Sequence, residues 1–230
     1  MNPIAQTLYN TLLGTSPLGD PLPLDPMPLF KQWLTEAEAQ LGRETGPAMA
    51  LATTDHSGAP SVRMVLCKGL SLAPPSITFF TNYNSRKARE LDANPRVAAT
   101  FHWAAFTRQV RIEGRARRSS AETSDAYFRT RALLSKLGAW ASNQSHHLAS
   151  RADLVAGVID AATRFGVLAA LASLSENSDA IPRPPHWGGY DIDIHAIELW
   201  TNVSGRLHDR ARWTYTPDAP TPWSRERLQP

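Results

Sequence analysis

Apolar residues recur at helical spacing near the start of the chain. Phe30, Trp33, Leu34, Ala37 and Leu41 fall on one face, which predicts an amphipathic helix. From Ala48 the period changes. AMALATTD and PSVRMVLCKGL read as two strands, with HSGAP as the turn between them. SITFFTNYN, RVAATFHW and RQVRIEGRARR continue the strand pattern. Ser85 is a good N-cap for a short helix running to Asn94, where Pro95 stops it. SSAETSDAYFRTRALL opens with a capping box, Ser119 and Glu122, and predicts a helix. ASRADLVAGVIDAATRF predicts another, with Ser150 as N-cap. VLAALASLSENSDAIPRPP shows no clear pattern. WGGYDIDIHAIELWTN, RLHDRARWTYT and WSRERLQP close the chain as strands and turns. About six or seven strands with three or four helices favour a mainly β, α+β fold, a β-barrel core decorated by helices.

The first 25 residues fit neither period. SPLGDPLPLDPMP is proline-rich and extended, so residues 1–25 read as a loosely ordered arm and 26–230 as a single domain. With 42% hydrophobic residues the chain can build a core, and 20% charged residues exclude a disordered polyelectrolyte. The net charge of +3 permits an acidic small-molecule ligand without demanding nucleic acid. A single cysteine, Cys67, excludes an intrachain disulfide and argues against a cysteine-built metal site. It is consistent with a reducing cytoplasm. MNPIAQTLYNTLLG lacks a basic leader and a long apolar run, so neither a secretory signal nor a membrane span is expected.

Four basic segments raise the question of an anion. In RLHDR, an extended backbone would put Arg206, His208 and Arg210 on one face. Like charges there repel unless something anionic lies between them. In NSRKARE, Arg86 and Lys87 fall in the first turn of a helix, where cations oppose the dipole. A bound phosphate reverses that penalty; two solvated basic residues are the bland alternative. In SVRMVLCK the apolar character predicts a buried strand, so Arg63 and Lys68 each need an anion or a carbonyl. A protein carboxylate and a ligand phosphate both remain open. Cys67 reads as a small core residue. RQVRIEGRARR alternates as a half-buried strand with a solvated basic face, and no nucleic-acid module accompanies it. GAWASNQSHH is a polar loop between two helices. Its His146 and His147 are adjacent and point apart, so no metal site is expected.

RMVLCK, FFTNYNSRK, RQVRIEG, YFRTRALLSKLGAWASNQS, WGGY, IELW and RLHDR occur in one order, followed by a closing RLQP. In that order they resemble the pyridoxamine (pyridoxine) 5′-phosphate oxidase family, from about Asp25 to Pro230. The resemblance implies a homodimeric split β-barrel binding FMN at the subunit interface. It implies oxidation of pyridoxamine or pyridoxine 5′-phosphate to pyridoxal 5′-phosphate by O2, with release of H2O2. Carried over residue by residue, the flavin set is Arg63, Met64, Val65, Leu66 and Lys68; Phe80 and Thr81; Gln109; Trp200 and Arg210. Arg86 and Lys87 match the residues that grip the FMN phosphate. Gln144 and Ser145 match a flavin-binding pair contributed across the dimer. For the substrate, Lys68 lies near it, Tyr127, Arg131 and Ser135 match its phosphate contacts, and Arg206 and His208 match a catalytic pair over the pyridine ring. Tyr127, Arg131 and Ser135 are also spaced i, i+4 and i+8, so one helical face with its continuation could present all three.

The chain departs from the pattern twice. The family closes an N-terminal segment carrying an arginine and a tyrosine over the substrate; here the first arginine is Arg43 and Tyr9 is isolated. The stretch Gly166–Ala180 is also longer than usual. Both bear on the substrate more than on the cofactor. A related FMN-dependent oxidase of phenazine biosynthesis and a non-catalytic flavin- or pyridoxal phosphate-binding module are the alternatives. Lys68, Tyr127, Arg131 and Ser135 argue for the vitamin substrate.

Overall fold

Alternation of apolar and polar residues folds most of this chain into one antiparallel sheet. The computed structural model describes residues 2–4, 6–7, 16–172 and 181–230. Strands β1 (Ala48–Thr54) and β2 (Pro60–Leu66) form a hairpin in register from Ala48↔Leu66 to Thr54↔Pro60. Then come β3 (Gly69–Leu72), β4 (Pro75–Asn82), β5 (Arg96–Trp103), β6 (Arg108–Arg118), β7 (Trp187–Thr201), β8 (Asp209–Tyr215) and β9 (Trp223–Arg227). The strand order is β2-β1-β5-β6-β7-β4-β3, with β8 on β7 and β9 on β8.

The two ends of that order, β2 and β3, are consecutive in sequence. The run 60–70, read above as one strand, is broken at Cys67 and Lys68. The Cys67 N–H bonds Pro47 O at 2.9 Å, on the β1 side, and the Lys68 N–H bonds Thr78 O at 2.7 Å, on β4. Only two residues separate the sheet's outer strands, so the sheet must curl until its edges meet, as a barrel requires. Splitting this run, and resolving the C-terminal segments, gives nine strands instead of six or seven.

Helices dress the sheet. Helix α1 (Met27–Leu41) buries Met27, Phe30, Trp33, Leu34 and Ala37, the face that the spacing predicts. Helix α2 (Arg86–Ala93) is capped by Ser85, whose side chain accepts from the Ala88 N–H. The helix read over 119–134 is two helices, α3 (Ala121–Arg129) and α4 (Leu133–Ala141). Thr130 Oγ1 donates to Tyr127 O at 2.8 Å, a side-chain bond that competes with helix continuation. The cap is Ser120, not Ser119: Ser120 accepts from the Thr123 N–H, while Ser119 is buried and donates to Asp191. Helix α5 (Arg151–Arg164) starts at Ser150 as expected, and α6 (Leu168–Ala172) occupies the patternless stretch. No described helix is long and apolar enough to cross a membrane.

Phe30, Phe101, Trp103, Ile112, Ile197 and Trp213 sit in the main core, inside the barrel and under α1. A second cluster, including Phe128, Leu133, Leu137, Ala162 and Trp187, joins α3, α4 and α5 to the start of β7. Burying one such aromatic side chain stabilises the fold by a few kcal/mol. Residues 16–25, expected within a loose arm, lie against the barrel. Leu18 is buried. Ser16 Oγ and the Leu18 N–H bond Asp209, and Trp213 Nε1 donates to Pro23 O at 2.9 Å. Tyr9 and residues 173–180 lie outside the described residues.

Candidate active site

The corner between β4 and α2 gathers buried polar groups. Strand β4 ends in Phe80 and Thr81, and the Ser85 cap turns the chain into α2, so Lys87 falls in the first turn and points inward. Lys87 is 8% exposed. Its Nζ lies 2.6 Å from Gln144 Oε1, 3.0 Å from Thr81 Oγ1 and 3.4 Å from Ser85 Oγ. No carboxylate touches it among the described residues. Burial first and the Arg63 charge second, partly opposed by Glu90, together lower its pKa to about 8. Asn82 Nδ2 donates to Ser142 O and ties down the loop that carries Gln144. The structure thus places Gln144 in its own chain's Thr81–Lys87 cluster, where the resemblance implied a contribution across the dimer. The adjacent Ser145 is left-handed, with φ 70°.

Beside this corner lies a carboxylate that the sequence reading did not single out. Glu90 is 4% exposed. It accepts from Ser61 Oγ at 2.7 Å, Arg86 Nε at 2.7 Å and Arg63 at 3.1 Å, and also from Thr53 Oγ1. Burial alone would raise its pKa, but these four donors hold it down at about 2. Of the two partners left open for Arg63, a protein carboxylate is the one present. Lys68 takes the other solution and donates to the Arg43 carbonyl at 3.2 Å. The strand around them is not buried as expected. Val62 and Met64 are 68% and 64% exposed, and Val65 and Leu66 are half-buried. The outward face of β2, which carries Val62 and Met64, is left uncovered by the described residues, so apolarity here marks a surface, not a core. Cys67 is buried, and burial pushes its thiol up to about 12.

An aromatic shelf leads away from Thr81. Phe80 stacks on Tyr127 with centroids 4.0 Å apart and on Trp187 at 5.5 Å. The Arg131 guanidinium lies over Trp187. Arg131 is not on the helix with Tyr127; it occupies the break between α3 and α4, and Ser135 is in the first turn of α4. The shared helical face is therefore replaced by a helix, a break and a second helix. One terminal nitrogen of Arg131 is buried with no hydrogen-bond partner. Burial lowers its pKa, and only Tyr127 opposes that. The N-cap of α4, Ala132, has no side chain to satisfy the first N–H groups. Lys68 and Tyr127 line one open cavity of about 580 Å³ with Lys31, Glu38 and Arg43.

A second group sits at the far end of β7. Gln109 pairs with Trp200 and Trp200 with Arg210, so three strands set these side chains in one row. The rings of Trp200 and His208 are 4.7 Å apart. Arg210 bonds buried Glu198 at 2.9 Å and the Gln229 carbonyl at 2.9 Å. RLHDR is not one extended face. Residues Ser204–Arg206 form a 3-10 turn, Arg206 is left-handed at φ 61°, and β8 starts only at Asp209. Arg206 is exposed and makes no ion pair among the described residues.

The first group clusters near Trp187 and the second around Trp200, at opposite ends of one strand. At roughly 3.3 Å per residue that is on the order of 40 Å along β7. A ligand pocket of the usual few hundred Å³ cannot reach both. A site using both groups must take them from two copies of the chain. Sequence reasoning missed Glu90, Trp187 and Arg43. The i, i+4 spacing of Arg86 and Glu90 was the available signal for the first.

Residues 35–163 match the family described as pyridoxamine 5′-phosphate oxidase. Residues 187–230 match the pyridoxine 5′-phosphate oxidase C-terminal dimerisation region. A pyridoxine/pyridoxamine 5′-phosphate oxidase of Paraburkholderia phytofirmans is 42% identical, covering 100% of both chains. One from Polaromonas sp. is 47% identical, covering 90% of this chain and 88% of the relative. Among solved structures, PhzG from Burkholderia lata 383, in complex with tetrahydrophenazine-1-carboxylic acid, superposes with a TM-score of 0.79. It is 30% identical and covers 93% of this chain and 96% of that one. A pyridoxamine 5′-phosphate oxidase-related, FMN-binding protein from Nostoc punctiforme gives a TM-score of 0.67 at 15% identity, covering 89% of this chain and 97% of its own. That last likeness is one of fold.

Proposed function

Since the chain belongs to the pyridoxamine 5′-phosphate oxidase family, we propose that it converts pyridoxamine or pyridoxine 5′-phosphate to pyridoxal 5′-phosphate with O2 as acceptor. FMN is its cofactor, and two copies of the chain complete each site. The observation that carries the substrate reading is Arg131, a half-buried guanidinium with one nitrogen unbonded and no carboxylate partner among the described residues. A buried cation needs an anion, and a substrate phosphate beside the open first turn of α4 meets that need. Ser135 adds a hydroxyl there, and Lys68 and Tyr127 face the neighbouring cavity.

The residues present also fit FMN. Lys87 is a buried ammonium in the first turn of α2 held, among the described residues, by neutral oxygens, and a flavin phosphate supplies the missing charge. Thr81, Gln144 and Ser145 line the same corner, with Arg63 and Arg86 beside it. Gln109, Trp200 and Arg210 of the second chain offer a rigid row for the ring system. The chemistry a bound FMN supplies is two-electron oxidation, with the electrons returned to O2 as H2O2. The chain's own part is placement. Lys68, Tyr127, Arg131 and Ser135 hold the substrate phosphate. Arg206 and His208 orient the pyridine ring and stabilise charge that develops on it. The Trp200 ring against His208 restricts the imidazole to one orientation.

The likeness to PhzG favours a second reading, oxidation of another ring acid on the same cofactor. One experiment separates them. Purified protein with FMN is given pyridoxamine 5′-phosphate in air, and pyridoxal 5′-phosphate and H2O2 are followed together. Equal appearance of both supports the proposal. Bound FMN without turnover, and turnover of tetrahydrophenazine-1-carboxylic acid instead, overturns it.

A further inference from the structure

We infer that Glu90 is a positioning residue for the cofactor phosphate, acting through Arg63 and Arg86. The inference rests on the reading that FMN binds at the Lys87 corner. Three cations, Arg63, Arg86 and Lys87, stand around one buried carboxylate. Glu90 touches both arginines and not the lysine. It is itself fixed from the opposite side by hydroxyls of β1 and β2, Thr53 and Ser61. Arg63 is braced by the same groups, donating to Ser61 Oγ at 2.5 Å and to Leu51 O at 3.1 Å. The carboxylate therefore anchors the start of α2 to the β1–β2 hairpin.

The Arg86 side chain is 58% exposed, and it donates from Nε to Glu90 at 2.7 Å. Without that bond a long, solvated side chain samples many rotamers, and fixing it on a ligand then loses that freedom. Glu90 removes the loss in advance. It also sets the charge: three cations against one carboxylate leave two positive charges, which match a phosphate monoester of about −1.5 to −2.

The competing idea is that Glu90 only neutralises its neighbours. The two ideas differ in sign. A neutraliser weakens anion binding, so Glu90→Gln would tighten FMN. A positioning carboxylate strengthens it, so Glu90→Gln loosens FMN although the site becomes more positive.

The test is FMN release from the purified holoprotein, read as recovery of flavin fluorescence on dilution, for the wild type, Glu90→Gln, Arg86→Ala and the double variant. The expected result is at least tenfold weaker FMN retention in Glu90→Gln, with Arg86→Ala adding little on that background. FMN held as tightly as in the wild type, or tighter, overturns the inference. If Glu90→Gln does not fold, Ser61→Ala keeps every charge and loosens the bracket. It should weaken retention several-fold, and unchanged retention again overturns the role. Lys87→Ala serves as the separate control: unchanged FMN retention there would sink the cofactor site itself, and the role of Glu90 with it.

Discussion

The guanidinium of Arg131 lies 4.5 Å from the ring of Trp187, close enough for a cation–π contact that substitutes for a counter-ion. The contact explains how a half-buried arginine persists without a carboxylate, and it leaves one nitrogen for a ligand. Arg131→Ala should raise KM for pyridoxamine 5′-phosphate about ten- to hundredfold, the worth of one or two charge-assisted hydrogen bonds. FMN content should stay unchanged. Arg131→Lys should not restore KM, because an ammonium keeps neither the planar stack nor the fork. Steady-state kinetics on the three proteins decide it.

If Lys87 holds the FMN phosphate as proposed, FMN binding should be sensitive to mild alkali. Its folded pKa is about 8, below the ordinary 10.5, chiefly through burial. Between those two values the unfolded chain binds the extra proton, so this group's contribution to stability rises with pH across the window and is smallest below it. Phosphate binding has the opposite demand, since it needs the charged form. FMN affinity should fall as pH climbs through 8, approaching tenfold per unit. Lys87→Met should bind FMN weakly with that slope abolished. Flavin fluorescence titrations from about pH 7 to about pH 9 read both.

Two damaged chains should repair each other. Lys87→Ala and His208→Ala change the two groups that lie near opposite ends of β7, so each variant alone should spoil both sites of a dimer. A mixed dimer carries one site with both defects and one with neither. Random pairing of equal amounts should restore about a quarter of wild-type activity. No recovery after unfolding and refolding the mixture would mean that one chain supplies the whole site.

Gly188 is required by close packing. A Cβ there would lie 2.2 Å from the Tyr83 hydroxyl and 3.0 Å from Ser124 Oγ. Gly188→Ala should destabilise the protein by about 1–3 kcal/mol, seen as a lowered Tm by calorimetry.

Arg206→Ala should reduce turnover with FMN retention intact. Arg206 is exposed and makes no ion pair among the described residues, so its loss should change stability by no more than about 0.5 kcal/mol. Equal loss of turnover and flavin would contradict its assignment to the substrate.

The barrel and its helices were largely legible in the sequence because period and caps are local. The α1 face, the Ser85 and Ser150 caps and the half-buried alternation of β6 followed directly. What could not be read was anything decided by a partner at a distance. Leu66 to Gly69 changes strands because Pro47 O takes the Cys67 N–H and Thr78 O takes the next one, that of Lys68. Arg63 found its anion in Glu90, 27 residues away. The i, i+4 argument for Tyr127 and Arg131 failed because Thr130 ends the helix between them. Arg206 and His208 left the strand pattern because Gly205 and Arg206 take left-handed turns.

The length of β7 has a kinetic meaning. On the proposed sharing of each site between two copies, a chain that has folded but not met a copy holds parts of two sites and the whole of none, and is silent as a catalyst. Activity after synthesis or refolding should then appear with second-order dependence on chain concentration, lagging the first-order recovery of secondary structure.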